Sequence, residues 1–168
     1  EKINKIIEEK SIHFVHKKLN KSYFKSERIN KFLYRTYGHT ANGIANYTSE
    51  KLEDVVIDYN NFVFDNINYQ DISSYLTKDD KKRINMLLHR SKIYEHKYGL
   101  FTNAPLSWCE NLFFCLEEDL FDMIDNDKVF ASDRGVLKPN ILVYKKVENN
   151  LENEIHFIDD SYINLLPI

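Results

Sequence analysis

Cysteine is scarce in this chain. Cys109 and Cys115 are the only two, six positions apart within one apolar helical pattern. No second pair completes a four-ligand zinc site and no secretory context suggests a disulfide framework, so both read as buried thiols in a reducing compartment, which places the protein inside the cell, in the cytoplasm. Long apolar runs are missing too. No segment approaches the roughly 18 residues that a membrane span takes, and the charged, helically patterned first ten residues are unlike a signal peptide. The net charge is only -3, which argues against a general nucleic-acid binder. There is no glycine-rich phosphate loop, no Ser-His-Asp order and no internal repeat. The six histidines, His13, His16, His39, His89, His96 and His156, lack metal-ligand spacing.

What remains has the balance of a folded domain: 43% hydrophobic and 29% charged residues in a chain of 168, enough for one core or for a small core with an inserted subdomain. The charge is unevenly placed. Residues 1–40 hold ten Lys or Arg against four acids, and residues 99–127 hold seven acids and no Lys or Arg. The first block is a solvated basic face or, less simply, a surface that attracts anionic substrates.

Up to about residue 92 the apolar spacing is helical. Ile3, Ile6, Ile7, Phe14, Val15 and Leu19 mark a first amphipathic helix. Ile29, Phe32, Leu33 and Tyr37 mark a second, with Ser26 as its expected N-cap and Gly38 as its C-cap. Thr40 to Tyr47 reads as a small, tight segment around Gly43. Leu52, Val55, Val56 and Tyr59 share one face of a further helix, residues 60–76 read as a connection lying against the core, and Thr77 with Asp80 forms a capping box for a helix bearing Ile84, Leu87 and Leu88.

From Tyr98 the pattern alternates between strand and helix. Tyr98 to Phe101 is a short strand, followed by Pro105 and a helix with Leu106, Cys109, Leu112, Phe113 and Leu116. Met123-Ile124 and Val129 to Ala131 are short strand candidates. Lys138-Pro139 opens a helix with Ile141, Leu142, Tyr144 and Val147, and Ile155 to Ile158 forms a last strand. These lengths predict an α/β fold with a parallel sheet over 93–168, following an all-helical region over 1–92.

In a parallel sheet, sites form at the carboxyl ends of strands. The polar residues expected there are Thr102 and Asn103, Lys138 at a helix start, and the adjacent acids Asp159 and Asp160. Two neighbouring carboxylates repel unless a divalent cation or a shared proton lies between them. A hydroxyl, an ammonium and paired acids at one edge suit a phosphate held beside Mg²⁺. Taken singly, each residue has a plainer reading: Thr102 or Asn103 as a helix cap, Lys138 as a surface lysine, and the acids as a strand end with a capping Asp.

The order of these segments resembles a known family. Phe101-Thr102-Asn103-Ala104, Leu120-Phe121-Asp122, Lys138-Pro139, and Phe157-Ile158-Asp159-Asp160-Ser161 with Asn164-Leu165 resemble motifs two to four of the haloacid dehalogenase-like hydrolase superfamily. Tyr34 to Thr40 with Gly43-Ile44 is similar to the cap signature of its pyrimidine 5'-nucleotidase branch. The resemblance implies a Rossmann-like parallel-sheet core with an inserted all-helical cap, and Mg²⁺-dependent hydrolysis of a small phosphorylated substrate, such as a nucleoside monophosphate, through an aspartyl-phosphate. Carried over, Thr102 would bind the phosphoryl group, Asn103 would shape its pocket, Lys138 would stabilise the nucleophile and the phosphoryl charge, and Asp159 with Asp160 would hold Mg²⁺. Tyr37, Gly38, Thr40 and Gly43 would lie where the cap meets the substrate. The family's first motif, the Asp-x-Asp carrying the nucleophile, is not found in the expected place. By the family's layout it falls before Glu1, on a central strand, and both ends of the chain look cut. The alternative is a catalytically inactive relative that serves as a scaffold or binding protein in a larger assembly.

Overall fold

The computed structural model describes residues 2–65, 67, 72–74, 76–94, 98–116, 124–150, 156–159 and 161–166. Helices α1 (Lys2–Leu19), α2 (Tyr23–Tyr37), α3 (Thr40–Thr48), α4 (Leu52–Val63) and α5 (Lys78–Tyr94) precede the first strand. Strand β1 (Tyr98–Phe101), helix α6 (Leu106–Leu116), strand β2 (Ile124–Phe130) and helix α7 (Ile141–Asn149) follow, with 3₁₀ turns at Ser132–Arg134 and Tyr162–Asn164.

This corrects the expected fold class. The described residues are mostly helical, and their sheet has two strands, β1 and β2, paired in parallel; it is not a Rossmann-like α/β core. Leu100 pairs with Val129 and Phe101 with Phe130, with an irregularity between Tyr98 and Leu100. The two candidates at 123–124 and 129–131 resolve into the single strand β2, Met123 lying outside the described residues. The run expected to form a third strand is not one, as 156–159 lie outside any strand. It still alternates as a strand does: the Phe157 ring packs 5.3 Å from the Phe101 ring, while Ile158 is 91% exposed.

The helical half is built around buried positions one turn apart. On α2, Ser26, Asn30 and Leu33 are buried, and α1 contributes Phe14 and Val15, α3 Ala41, Ile44 and Ala45, and α4 Val55, Val56, Tyr59 and Val63. Trp108 and Cys109 of α6 and Leu137 belong to the same cluster. A smaller cluster of Phe130, Val136, Val143 and Val147 lies between β2 and α7, with Phe101 against it. Every Leu, Ile or Val side chain moved fully from water into these clusters contributes on the order of 1.5–3 kcal/mol.

Two local expectations need correction. Ser26 is not the N-cap of α2. The helix begins at Tyr23 after Ser22, and the buried Ser26 hydroxyl donates back to the Ser22 carbonyl at 3.0 Å. The segment after Gly38 is a helix, α3, whose N-cap is His39: its Nδ1 accepts the Ala41 N–H at 3.2 Å. Helix α3 can lie close to α2 because Gly43 has no side chain; a Cβ there would fall 2.7 Å from Leu33 Cβ. The capping box forms as expected, with Thr77 Oγ1 accepting from the Asp80 N–H at 3.1 Å and Asp80 Oδ2 from the Thr77 N–H at 3.0 Å.

Candidate functional site

The site starts where β1 stops. The Thr102 N–H donates to the Phe130 carbonyl at 2.9 Å, carrying the pairing one residue past the strand, and the chain then turns as Thr102 Oγ1 accepts the Ala104 N–H at 3.0 Å. That turn aims the Asn103 amide at a segment 35 residues away. Its Oδ1 accepts the Lys138 N–H at 2.7 Å and its Nδ2 donates to the Lys138 carbonyl at 3.1 Å. One side chain thus holds both backbone polar groups of Lys138, just before Pro139 and the α7 cap Asn140, which accepts from the Leu142 N–H at 3.0 Å.

The Lys138 side chain turns inward. Its ammonium donates to the Phe101 carbonyl at 2.9 Å and to Asp159 Oδ2, and lies 4.9 Å from the centre of the Phe101 ring and 5.3 Å from that of Phe157. The Lys138 and Asp159 side chains are 6% and 5% exposed. Asp159 Oδ1 accepts the Ser161 N–H at 2.8 Å and the Asn164 amide at 2.9 Å. Burial alone would raise the Asp159 carboxyl, but the hydrogen bonds from Lys138, Asn164 and Ser161 outweigh it and hold the group below the usual aspartate value. Behind them the Tyr144 hydroxyl donates to the Asn164 carbonyl, and burial, with Asp159 nearby, pushes the phenol up to about 12. Burial likewise pushes the Cys109 thiol, beside Thr102, up to about 11, so it is inert as a nucleophile at neutral pH.

Four of the sequence candidates therefore meet: Thr102, Asn103, Lys138 and Asp159. Asp160 lies outside the described residues, as do Leu120, Phe121 and Asp122. Of the cap residues, Gly38 reaches the site. It ends α2 at φ +72°, its N–H on the Tyr34 carbonyl at 2.9 Å, and a Cβ on it would lie 2.1 Å from Pro139 Cδ and 3.2 Å from the Lys138 carbonyl. Thr40 is buried, donating to Asn30 Oδ1 at 2.8 Å. Gly43 faces Leu33, and Tyr37 is half-buried with its carbonyl accepting from the Asn42 amide at 3.3 Å. Tyr144 and the Phe101 carbonyl were not candidates. A Tyr on an apolar helix stripe looks like core, and a carbonyl has no sequence signal.

Among the described residues no three His, Cys, Asp or Glu side chains gather as a metal cage. Mg²⁺ needs less than a cage, being held through one or two carboxylates with waters and substrate oxygens. An aspartate offers about four lone-pair positions, and Lys138, Ser161 and Asn164 take three of those on Asp159. Asn164 Oδ1, on the same side chain whose amide meets Asp159, is buried without a partner. Two hard oxygen donors are thus compatible with Mg²⁺.

Among the described residues, no helix is long and apolar enough to cross a membrane. No protein-family model, curated protein or solved structure matches the chain.

Proposed function

We propose that this protein hydrolyses a small phosphomonoester, such as a nucleoside monophosphate, inside the cell with Mg²⁺ as cofactor. The observation that carries the reading is the buried Lys138–Asp159 pair at the end of a parallel strand, with Asn103 clamping the lysine backbone. Burying an ammonium is costly and a scaffold has no need of it, whereas a phosphoryl group needs a fixed positive charge that water does not screen. Among the described residues Lys138 uses two donors, leaving a third for a phosphoryl oxygen. Thr102 Oγ1 accepts from Ala104, and its own proton, engaged with the weak acceptor Cys109, could turn to a second oxygen. Asp159 and Asn164 would hold Mg²⁺, joined by Asp160 if the resemblance to the dehalogenase-like hydrolases carries over. The ion supplies charge compensation at the phosphoryl oxygens.

In this reading the nucleophile is the aspartate of an Asp-x-Asp preceding Glu1. Its carboxylate oxygen bonds to phosphorus as the ester P–O bond breaks, and the departing alkoxide takes a proton from the second aspartate. Water then cleaves the acyl phosphate to release inorganic phosphate and restore the carboxylate. Asp159 cannot take the nucleophile's part while its charge is committed to Lys138.

The test is phosphate release from cytidine and uridine monophosphates by the full-length protein, with and without Mg²⁺. Release that requires Mg²⁺ and is lost in Lys138→Ala supports the reading. No release from any phosphomonoester overturns it in favour of a binding scaffold.

A further inference from the structure

We infer that the outward face of α2 is a docking surface for an anionic lipid bilayer, with Phe24 and Phe32 entering the headgroup boundary while Lys25, Arg28 and Arg35 meet the lipid phosphates and carboxylates. This face uses none of the residues assigned to the reaction above. It lies within the basic block of residues 1–40, which that reaction leaves without a role.

The helical period creates the surface. Ser26, Asn30 and Leu33 turn one side of α2 into the core, where the helix packs against α1 and α3. At about 100° per residue the opposite side carries Phe24, Arg28, Phe32 and Arg35 on one stripe, flanked by Lys25 and Lys31. All six are exposed, Phe24 by 68% and Phe32 by 62%. A single exposed apolar side chain is ordinary. Two phenyl rings about 12 Å apart along one helix, interleaved with guanidinium groups, are not required by packing, because α2 meets the core from its other side.

Charge specifies an anionic partner. Glu27, the one acid on α2, is held by Lys31 at 2.8 Å, and Glu8 of α1 also acts on Lys31. Among the described residues Lys25, Arg28 and Arg35 form no ion pair, so three cations remain for the partner. Shape then selects among anionic partners. The stripe is the convex side of a single helix. A nucleic-acid strand is bound in a basic groove and a peptide helix lies in an apolar one, whereas a bilayer is a plane on which such a ridge can rest. The rings at the crest reach the acyl boundary, and the long arginine and lysine stems let their charges stay at headgroup level. A cytoplasmic leaflet supplies the negative surface potential.

The test is co-sedimentation of the protein with vesicles of phosphatidylcholine alone and of phosphatidylcholine with about 30% phosphatidylserine. Binding should require phosphatidylserine and weaken as salt is raised. Each cation at an anionic surface contributes about fivefold, so Arg28→Ala with Arg35→Ala should weaken binding about 30-fold, and Phe24→Ala with Phe32→Ala about tenfold or more. All four side chains are exposed, and circular dichroism with the urea midpoint verifies that folding is unchanged. Lys82→Ala with Arg83→Ala, which removes equal charge from exposed positions on α5, should leave binding within about twofold. No binding to the phosphatidylserine vesicles, equal binding to phosphatidylcholine alone, or equal weakening by the α5 variant overturns the assignment. So does tighter binding to single-stranded oligouridylate than to the vesicles.

Discussion

His39 makes the helical half of the molecule sensitive to mild acid. Its imidazole caps α3 through Nδ1, which accepts the Ala41 N–H, and the ring meets Tyr59 edge-on at 4.9 Å. Nδ1 must be unprotonated to accept, so the ring is neutral with its proton on Nε2. Burial pushes its pKa down from 6.5 to about 4. Protonation would put a charge in the core, turn Nδ1 into a donor facing another donor, and place positive charge at a helix N-terminus. The unfolded chain takes up the proton near 6.5 and the folded chain near 4, so the contribution of the neutral ring to stability is complete above 6.5, falls as pH drops through that window, and is gone below 4. At 1.36 kcal/mol per pH unit the whole window is worth about 3 kcal/mol, and the step from 6.5 to pH 5 about 2 kcal/mol. Urea unfolding at pH 7.5, 6.5 and 5.0, in wild type and in His39→Asn, measures this. Asparagine is a good N-cap that does not titrate, so the variant should lose about 2 kcal/mol less than wild type on reaching pH 5. Parallel loss in the two proteins, or an NMR titration of the His39 ring centred near 6.5, would refute the reasoning.

Three further outcomes follow from the packing and the ion pair. Gly43→Ala should destabilise by about 1–3 kcal/mol in urea unfolding despite alanine's better helix propensity, because the new methyl would meet Leu33 at 2.7–2.8 Å; a stabilised variant would mean that α2 and α3 are not so close. Gly38→Ala should destabilise through both its positive φ and the 2.1 Å approach to Pro139 Cδ, and should weaken phosphate binding because the Lys138 carbonyl is displaced; unchanged stability and affinity would contradict this. Lys138→Met should cost about 3–5 kcal/mol at pH 7 by stranding the Asp159 carboxylate. Because the folded Asp159 carboxyl lies below its ordinary value, its stabilisation is present above the unfolded value and lost as pH falls through the folded one. The cost of the substitution should therefore shrink toward pH 3, and an equal cost at pH 7 and pH 3 by urea unfolding would show that the pair is not ionic.

Features closed by nearby residues were legible in the sequence. Gly38 reads as a C-cap because only the four residues back to Tyr34 are involved, and Thr77 with Asp80 because the capping box spans one turn. Helix α3 was not legible. Asn42, Gly43 and Asn46 are poor helix formers, and the helix forms because Ala41, Ile44 and Ala45 enter the core and Gly43 admits Leu33, which are tertiary effects. Ser26 has the chemistry of a cap, but it is buried inside the helix that begins at Tyr23, which spacing cannot show.

The same distinction explains why the sheet expectation failed while four of the site candidates came together. The 156–159 segment alternates in exposure as a strand should, but a strand exists only with a partner, and period-two patterning is blind to partners. The residues at the site are placed by other means: by the Thr102 turn, by an Asn103 amide bridging 35 positions to Lys138, and by the Asn164 amide that holds Asp159 from a 3₁₀ turn. None of these needs a third strand. The convergence of Thr102, Asn103, Lys138 and Asp159 thus depends on side-chain-to-backbone clamps more than on sheet order, and removing the Asn103 clamp should loosen Lys138 without disturbing the β1–β2 pairing.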